Sequence, residues 1–352
     1  MAQTVEYRRL WLLVNALPQG AALLDAQGNL LFVNKSFAYL AEIPVNDLIY
    51  GTPLPEELLD EKLYQFTQSA IKSASDLESE IVISKNNQAR IFLAKSSHLF
   101  SDEAPSTMVL FDDITRIKHL EQMRQDFVSN VSHELRTPVT SIKGASETLI
   151  NGALENPQDA KKFTEIIFRQ SERLSRIIED LLSLSKIEKE SDSSIVDFSE
   201  QDLCAILGAA ARNSEHRAQE LGMSLSWPIN PEVRLAVNRT LLEQAVGNLV
   251  ENAIEHSERG SSITLSINEE DTAVTIEVTD QGCGIPEAHL KRIFERFYRV
   301  DKSRSRKFGG TGLGLAIVKH VALAHRGHVE VTSRVGVGSS FAIVLPKPKV
   351  GE

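Results

Sequence analysis

A repeat of mostly apolar residues between positions 163 and 184 is the feature that most limits how this chain folds. Its members are separated alternately by four and three residues: Phe163, Ile167, Gln170, Leu174, Ile177, Leu181 and Leu184. This heptad spacing places all of them on one stripe of an α-helix. The helix therefore needs a partner helix along its whole length.

The preceding segment predicts that partner helix. It has apolar residues at similar steps: Leu120, Met123, Phe127, Val131 and Leu135. Asn151-Gly152 is a helix stop, and Asn156 is a cap for the next helix with Pro157 at its first position. Because an antiparallel hairpin of two helices buries little surface alone, we expect a homodimer in which two hairpins form a four-helix bundle.

Length, charge and cysteine content limit the class of protein. A chain of 352 residues is expected to hold two or three domains. The formal net charge of -10 argues against a general nucleic-acid binder. Two cysteines, Cys204 and Cys283, cannot form a disulfide framework and fit a reducing compartment.

Hydropathy predicts no membrane segment in this chain. The apolar run Leu10–Val14 is far shorter than the roughly 18 residues that a membrane span needs, and it lacks a signal-peptide layout. We therefore expect a cytoplasmic protein. The alternative is the soluble part of a membrane-anchored protein.

The pattern of elements divides the chain into three segments. Residues 1–116 are mixed α/β and include a hairpin formed by the apolar runs 21–25 and 30–33. Residues 117–190 are the helical hairpin. After a polar linker, residues 195–349 alternate helices and strands, which predicts an α/β sandwich.

A single histidine on the first long helix is a candidate nucleophile. His133 lies in Ser132-His133-Glu134-Leu-Arg-Thr137-Pro, and its imidazole offers a lone pair near neutral pH. Glu134 is placed to act as a base or to hold the ring tautomer. Thr137, four residues on, shares the face of His133 and could orient a water molecule against a phosphorylated ring.

Three further motifs have the polar and glycine-rich character of a nucleotide site: Asn248-Leu-Val-Glu-Asn252, Asp280-Gln-Gly282-Cys-Gly284 and Gly309-Gly310-Thr311-Gly312-Leu-Gly314-Leu315. Amide oxygens four residues apart on a helix suit Mg²⁺. A carboxylate that ends a strand can accept a hydrogen bond from an exocyclic amino group, and glycines let the backbone approach a base. A glycine loop that leads into a helix presents amide donors to phosphate.

These motifs together resemble those of the sensor histidine kinases of two-component signalling, in particular the phosphate-regulon-sensor-like class. The segments match the H, N, G1 and G2 boxes of that family, and residues 294–299 match its F box. The resemblance implies a Bergerat ATP-binding fold for residues 195–349 and a histidine phosphotransfer domain for 117–190. Residues 1–116 resemble a PAS sensor domain.

The same resemblance implies the roles of individual residues. His133 takes the γ-phosphoryl group of ATP and passes it to an aspartate of a cognate response regulator. Asn252 is the Mg²⁺ ligand, with Asn248 near the phosphates. Arg299 stabilises the transferring phosphoryl group, and Thr137 supports phosphatase activity toward the regulator.

Two other functions are weighed against this one. A hydrolytic ATPase of the same fold uses a glutamate where this chain has Asn248. A non-enzymatic sensor scaffold is expected to have lost the acceptor or the glycines, and none of them is lost. A possible metal cluster of His320, His325 and His328 is less expected than an ordinary helix end that enters a strand.

One position departs from the family pattern. Glu255 is an acid where relatives often carry a basic residue, which puts a phosphate contact from that position in doubt. A basic cluster at 302–307 either steers ATP or is a solvated loop.

Overall fold

The computed structural model describes these ranges of the chain: 12–40, 50–54, 56, 60–73, 75–85, 88–99, 105–193, 197–228, 233–300 and 310–347. It divides into two compact units, Met1–Asp126 and Phe127–Glu352. Within the described ranges, no helix is both long enough and apolar enough to cross a bilayer.

The first unit contains an antiparallel sheet with helices between its strands. Its elements are β1 (Gly20–Asp25), β2 (Leu30–Val33), α1 (Lys35–Leu40), α2 (Glu61–Lys72), β3 (Glu78–Lys85), β4 (Gln88–Leu99) and β5 (Ser106–Asp113). The strand order is β2-β1-β5-β4-β3. The predicted hairpin is present as β1 and β2, and Leu24, Phe37 and Phe92 lie in the core.

A buried asparagine joins the first strand to the first helix. Asn34 is 1% exposed, and its Oδ1 accepts hydrogen bonds from the backbone N–H groups of Ala21 and Phe37, at 2.9 and 2.8 Å. Its Nδ2 donates to the carbonyl of Gln19 at 2.8 Å. These bonds satisfy a polar group that would otherwise be costly to bury.

The second unit begins with the helical hairpin. Helix α3 (Thr115–Ile150) continues through Pro138, and helix α4 (Pro157–Ser193) follows a short 3-10 turn. Gly152 adopts a left-handed conformation (φ 119°) at the hairpin, and the Asn156 side chain accepts a hydrogen bond from the N–H of Gln158 at 3.0 Å. The predicted stop and cap are thus both present. The division between the compact units falls inside α3.

The rest of the second unit is the expected α/β arrangement. Its elements are β6 (Ser199–Asp202), α5 (Leu203–Glu220), β7 (Ser224–Ser226), β8 (Arg234–Val237), α6 (Arg239–His256), β9 (Ser262–Glu269), β10 (Ala273–Asp280), α7 (Glu287–Leu290), α8 (Gly314–Ala324), β11 (His328–Arg334) and β12 (Gly338–Pro346). The larger sheet has the order β11-β12-β10-β9-β7, in which only the β7–β9 pair is parallel.

One core joins the hairpin to the sheet-containing part of this unit. Leu184 and Ile187 of α4 are buried in the same cluster as Leu242 of α6 and Ile317 of α8. The end of the heptad stripe therefore packs against the helices that cover the sheet. This packing holds the acceptor hairpin and the glycine loop in one compact unit.

Candidate active site

His133 is exposed on α3 and faces a cavity. The cavity has a volume of about 380 Å³ and is lined by Asn130, His133, Glu134, Thr137, Arg173, Phe297 and Arg299. It brings together the acceptor segment, the second hairpin helix and the F-box segment. Residues separated by more than 160 positions in sequence thus meet beside one imidazole.

Glu134 is engaged by two arginines. Its Oε2 accepts a hydrogen bond from Arg173 Nη2 at 2.8 Å and lies 3.5 Å from Arg299 Nη2. The side chains of Arg173 and Arg299 are 7% and 8% exposed, so both ion pairs are largely shielded from water. Among the described residues, Glu134 makes no hydrogen bond to the His133 ring. The arrangement suits a carboxylate that orients cations.

Thr137 lies where the helical spacing predicted, one turn after His133. Its Oγ1 donates a hydrogen bond to the backbone carbonyl of His133 at 3.2 Å, and the side chain is exposed at the cavity. Such a bond back to the preceding turn is usual for threonine in a helix. The hydroxyl retains its acceptor lone pairs for water.

Arg299 links the cavity to the glycine loop. Its guanidinium donates to the carbonyl of Gly310 and lies beside Glu134. The backbone N–H of Phe297 donates to the Gly312 carbonyl at 2.8 Å, so the F-box segment and the glycine loop also share a backbone hydrogen bond. The predicted phosphoryl-stabilising arginine therefore lies between the acceptor helix and the loop.

The two asparagines lie on α6, which begins after the cap residue Asn238. Asn248 Nδ2 is buried and has no hydrogen-bond partner among the described residues. A Cβ added to Gly314 would lie 3.6 Å from Asn248 Cγ, which places this amide beside the start of α8. An unsatisfied buried donor costs about 1–3 kcal/mol, so a ligand with acceptor oxygens fits here.

Asp280 ends β10 and is buried. Its Oδ1 accepts hydrogen bonds from the backbone N–H groups of Gly282 at 2.7 Å and Ser339 at 3.2 Å. Burial raises the pKa of Asp280, and the two backbone hydrogen bonds oppose that shift. Because both bonds end on Oδ1, the carboxylate is fixed in orientation.

Gly284 follows in a left-handed conformation, with φ 69°. A Cβ at this position would overlap the carbonyl of Arg334, so the turn lies tightly against the end of β11. A Cβ at Gly282 would lie 2.5 Å from the carbonyl of His256. These glycines therefore serve close packing within the protein in addition to any approach to a base.

A side-chain hydrogen bond joins the glycine loop to α4. Thr311 Oγ1 donates to Asp180 Oδ2 at 2.6 Å and accepts from the N–H of Leu313 at 3.2 Å. Burial raises the pKa of Asp180, and the Thr311 hydrogen bond opposes it. Sequence reasoning missed Asp180, since only the packing of α4 against α8 brings it to the loop. Gly310, Gly312 and Gly314 all lie where the motif predicted, directly before and at the start of α8.

Glu255 lies beside the same loop. A Cβ added to Gly310 would be 3.2 Å from Glu255 Oε2, and the other carboxylate oxygen lies 3.5 Å from Arg217 Nη2. Burial raises the pKa of Glu255, and the charge of Arg217 opposes that shift. Position 255, where relatives often carry a basic residue, therefore places a carboxylate beside the glycine loop and offers no cation to phosphate.

Of the three C-terminal histidines weighed as a metal cluster, His325 is engaged by hydrogen bonds within the protein. His325 is buried: its Nε2 accepts from the backbone N–H of Asn238 at 3.0 Å, and its Nδ1 pairs with the Val321 carbonyl at 2.8 Å. Burial lowers its pKa. Within the ranges described above there is no group of three metal-ligating side chains.

The basic cluster at 302–307, and Gly309, lie outside the described residues.

Comparison with known proteins agrees with this arrangement. Residues 123–190 match the His Kinase A (phospho-acceptor) domain, and residues 237–349 match the histidine kinase-, DNA gyrase B- and HSP90-like ATPase family. The sensor-like histidine kinase SenX3 of Mycolicibacterium smegmatis is 34% identical over 313 residues, which cover 86% of this chain and 81% of that protein. Sensor protein SrrB of Staphylococcus aureus is 28% identical over 340 residues, and the match spans 55% of SrrB.

Solved structures have the same fold. The histidine kinase ThkA, crystallised in complex with the response regulator TrrA, aligns with 95% of this chain at a TM-score of 0.53 and 21% identity, and the match covers 97% of the ThkA chain. The histidine kinase AdeS of Acinetobacter baumannii aligns with 62% of this chain at a TM-score of 0.50 and 25% identity, and the match covers 98% of the AdeS chain.

The chain belongs to the sensor histidine kinase family of two-component signalling. It is a protein-histidine kinase whose C-terminal part is an ATP-binding domain. The resemblance of the sequence motifs to those of sensor histidine kinases is confirmed for the phosphoacceptor and ATPase parts.

Proposed function

We propose that His133 is the phosphorylated residue and that the cavity beside it is where transfer from ATP takes place. The observation that carries this proposal is the meeting of His133 with Arg299, whose guanidinium also holds the glycine loop. The imidazole attacks the γ-phosphorus, the bond to the bridging oxygen breaks, and ADP leaves. Arg299 is suited to neutralise the charge of the transferring group.

The nucleotide site is assembled from the three downstream motifs. Asp280 accepts a hydrogen bond from the adenine amino group, and the amides of the loop at Gly310, Gly312 and Gly314 bind phosphate at the start of α8. The unpartnered Asn248 amide supplies a donor for a phosphate oxygen. Asn252 is the proposed ligand of Mg²⁺, which would neutralise charge on the phosphates.

The hydrolytic alternative has less support. Residue 248 offers an amide in place of the glutamate that would activate water, and a buried amide donor cannot act as a base. The scaffold alternative requires a lost acceptor or lost glycines, and each of these residues is present.

Labelling with [γ-³²P]ATP tests the proposal. We expect acid-labile, base-stable label on the wild-type protein and none on His133→Gln. The matched control is His216→Gln, because His216 is exposed on α5 outside the cavity and its loss should leave labelling unchanged. Label that survives in His133→Gln would overturn the assignment of the acceptor.

The cognate partner is a response regulator whose aspartate receives the phosphoryl group from His133. Thr137 is suited to a second, phosphatase reaction, since its hydroxyl faces the cavity and can orient a water molecule. A Thr137→Ala variant should keep autophosphorylation and lose regulator dephosphorylation.

A homodimer is supported by apolar side chains left exposed on the hairpin. On α3 they include Val128, Val139 and Ile150, which are eleven residues apart, and on α4 they include Phe168 and Leu182. Eleven residues are about three helical turns, so the α3 residues share one face. A second hairpin would cover this face in a four-helix bundle.

We propose a PAS domain at 1–116, a dimerisation and phosphotransfer domain at 117–190 and a catalytic domain at 195–349. The strand order β2-β1-β5-β4-β3 supports the PAS assignment. A cytoplasmic location is supported by Cys204 and Cys283, which are both present as thiols. An absorption spectrum of the purified protein tests whether the first domain holds a chromophore.

A further inference from the structure

Arg173 is a buried cation in the wall of the acceptor cavity, on the hairpin helix that does not carry His133. The residue is 6% exposed. Its Nη2 donates to Glu134, whereas its Nε is buried and has no hydrogen-bond partner among the described residues. A guanidinium held away from water with an unused donor points to a missing acceptor.

The charges that line the cavity are unequal. Among the described residues that line it, the titratable groups are His133, Glu134, Arg173 and Arg299. Glu134 Oε2 lies within 3.5 Å of a nitrogen of each guanidinium group, and with neutral imidazole these described residues contribute two positive charges and one negative charge. The surplus positive charge and the unused donor fit an oxygen-rich anion placed next to His133.

We propose that Arg173 binds the phosphoryl group carried by His133. This inference rests on the proposed role of His133 and adds a residue from the opposite helix to the phosphoryl site. When the phosphoryl group is transferred, its oxygens enter a cavity that already holds a fixed cation, so little reorganisation is needed. Arg173 makes no covalent bond to the phosphoryl group, and Glu134 holds its Nη2 by a hydrogen bond.

Autophosphorylation kinetics of the full chain test the proposal. Arg173→Gln should lower the labelling rate at saturating ATP by about 100-fold, as expected for loss of one charge-stabilising donor. The Kd for ATP should stay within about twofold, because the hydrogen bond that Arg173 makes among the described residues goes to Glu134 and not to a nucleotide motif. Arg173→Lys should restore part of the rate. The matched control is Arg169→Gln, an exposed arginine one turn earlier on α4.

A double-mutant cycle separates phosphoryl binding from mere support of Glu134. If Arg173 acted only through Glu134, adding Arg173→Gln to Glu134→Gln would cost nothing further. We expect a further loss of at least tenfold, by the same loss of a donor. Full non-additivity would overturn the proposal and leave Arg173 as a structural brace.

³¹P NMR of the phosphorylated protein measures the pH at which phosphohistidine titrates. This pH should not change if Arg173 has only a structural role. A nearby cation favours the more negative form of phosphohistidine, so the titration midpoint should lie at lower pH in the wild type than in Arg173→Gln. Equal midpoints would overturn the proposal. If the wild type labels at His133 but Arg173→Gln behaves like Arg169→Gln, only this inference fails. If the wild type does not label at His133, the proposed function itself fails.

Discussion

At the scale of single residues, the site depends on polar side chains whose orientation is fixed by backbone hydrogen bonds. Asp280 is the clearest case, because two backbone N–H groups hold its Oδ1 and leave the direction of the other oxygen defined. A buried acceptor in a fixed orientation discriminates strongly between a donor and an acceptor on the ligand. The base specificity of the kinase should therefore depend on this one carboxylate.

Asp280→Asn is expected to weaken ATP binding by about 10- to 100-fold, since an amide nitrogen facing the adenine amino group leaves donors unpaired at a cost of about 1–3 kcal/mol. Isothermal titration calorimetry with ATP measures the change. Asp271→Asn, the same substitution in an exposed turn, should bind ATP like the wild type. Unchanged affinity in Asp280→Asn would argue against the proposed adenine contact.

His325 predicts a pH dependence of stability. Burial lowers its pKa in the folded protein, so below about pH 6.5 the unfolded chain binds the proton more readily and folding loses free energy. The loss is at most about 1.4 kcal/mol per pH unit and levels off below the folded-state pKa. At a pH above the unfolded-state pKa, neutral His325 makes its full contribution to the free energy of unfolding.

Urea unfolding between pH 5 and pH 8 measures this dependence. His325→Gln should be less stable than the wild type at pH 8 and lose less stability on acidification. His328→Gln is the control, because His328 is exposed on β11 and should keep the wild-type slope. An identical slope in His325→Gln would contradict the prediction.

At the scale of secondary-structure elements, the glycine loop is a sterically constrained connection in the catalytic part. Gly312 has φ 74°, and a Cβ there would lie 3.0 Å from Phe297 Cα. Gly336 has nearly the same φ, 76°, but a Cβ would meet nothing within 4 Å. The pair separates the cost of a left-handed backbone from the cost of a steric clash.

Both Gly312→Ala and Gly336→Ala should lose about 1–2 kcal/mol of stability from the positive φ. Gly312→Ala should in addition raise the Kd for ATP by about tenfold or more, because the contact with Phe297 displaces the loop. A tenfold change corresponds to a loss of about 1.4 kcal/mol in binding free energy. Fluorescence titration with a labelled nucleotide, combined with thermal unfolding, measures both effects. Equal nucleotide affinity in the two variants would show that the Phe297 contact does not position the loop.

The sequence predicted the long elements well because their signals are local. The stop at Gly152, the cap at Asn156 and the start of α8 at Gly314 depend on residues within one or two turns. The short strands β6, β7 and β8 were not predicted, since a strand of three or four residues has too little periodicity to stand out.

The site was predictable in its residue types but not in its pairings. The motifs predicted His133, Asp280 and the glycines as site residues. The hydrogen bond of Glu134 to Arg173 and that of Thr311 to Asp180 join residues 39 and 131 positions apart, and only tertiary packing brings them together. The role of His325 in holding Asn238 was hidden for the same reason.

At the scale of the whole molecule, the exposed apolar residues of the hairpin predict self-association. Phe168→Glu combined with Leu182→Glu should weaken the dimer by at least tenfold, because each buried large apolar side chain contributes about 1.5–3 kcal/mol. Sedimentation velocity across a concentration series measures the change.

Leu323→Glu is the control for self-association, since Leu323 is also an exposed apolar residue but lies on α8, outside the hairpin. It should leave the dimer unchanged. A wild-type chain that stays monomeric at high concentration would contradict the proposed four-helix bundle.

The position of Arg299 has a consequence for how the enzyme cycles. One side chain touches both a carbonyl of the glycine loop and a carboxylate on the acceptor helix. A movement that separates the glycine loop from the acceptor helix breaks at least one of these two contacts. The Gly310 carbonyl and the Glu134 carboxylate therefore compete for the same guanidinium each time the two parts separate. The turnover frequency of the kinase should then depend on the difference in free energy between these two contacts of Arg299.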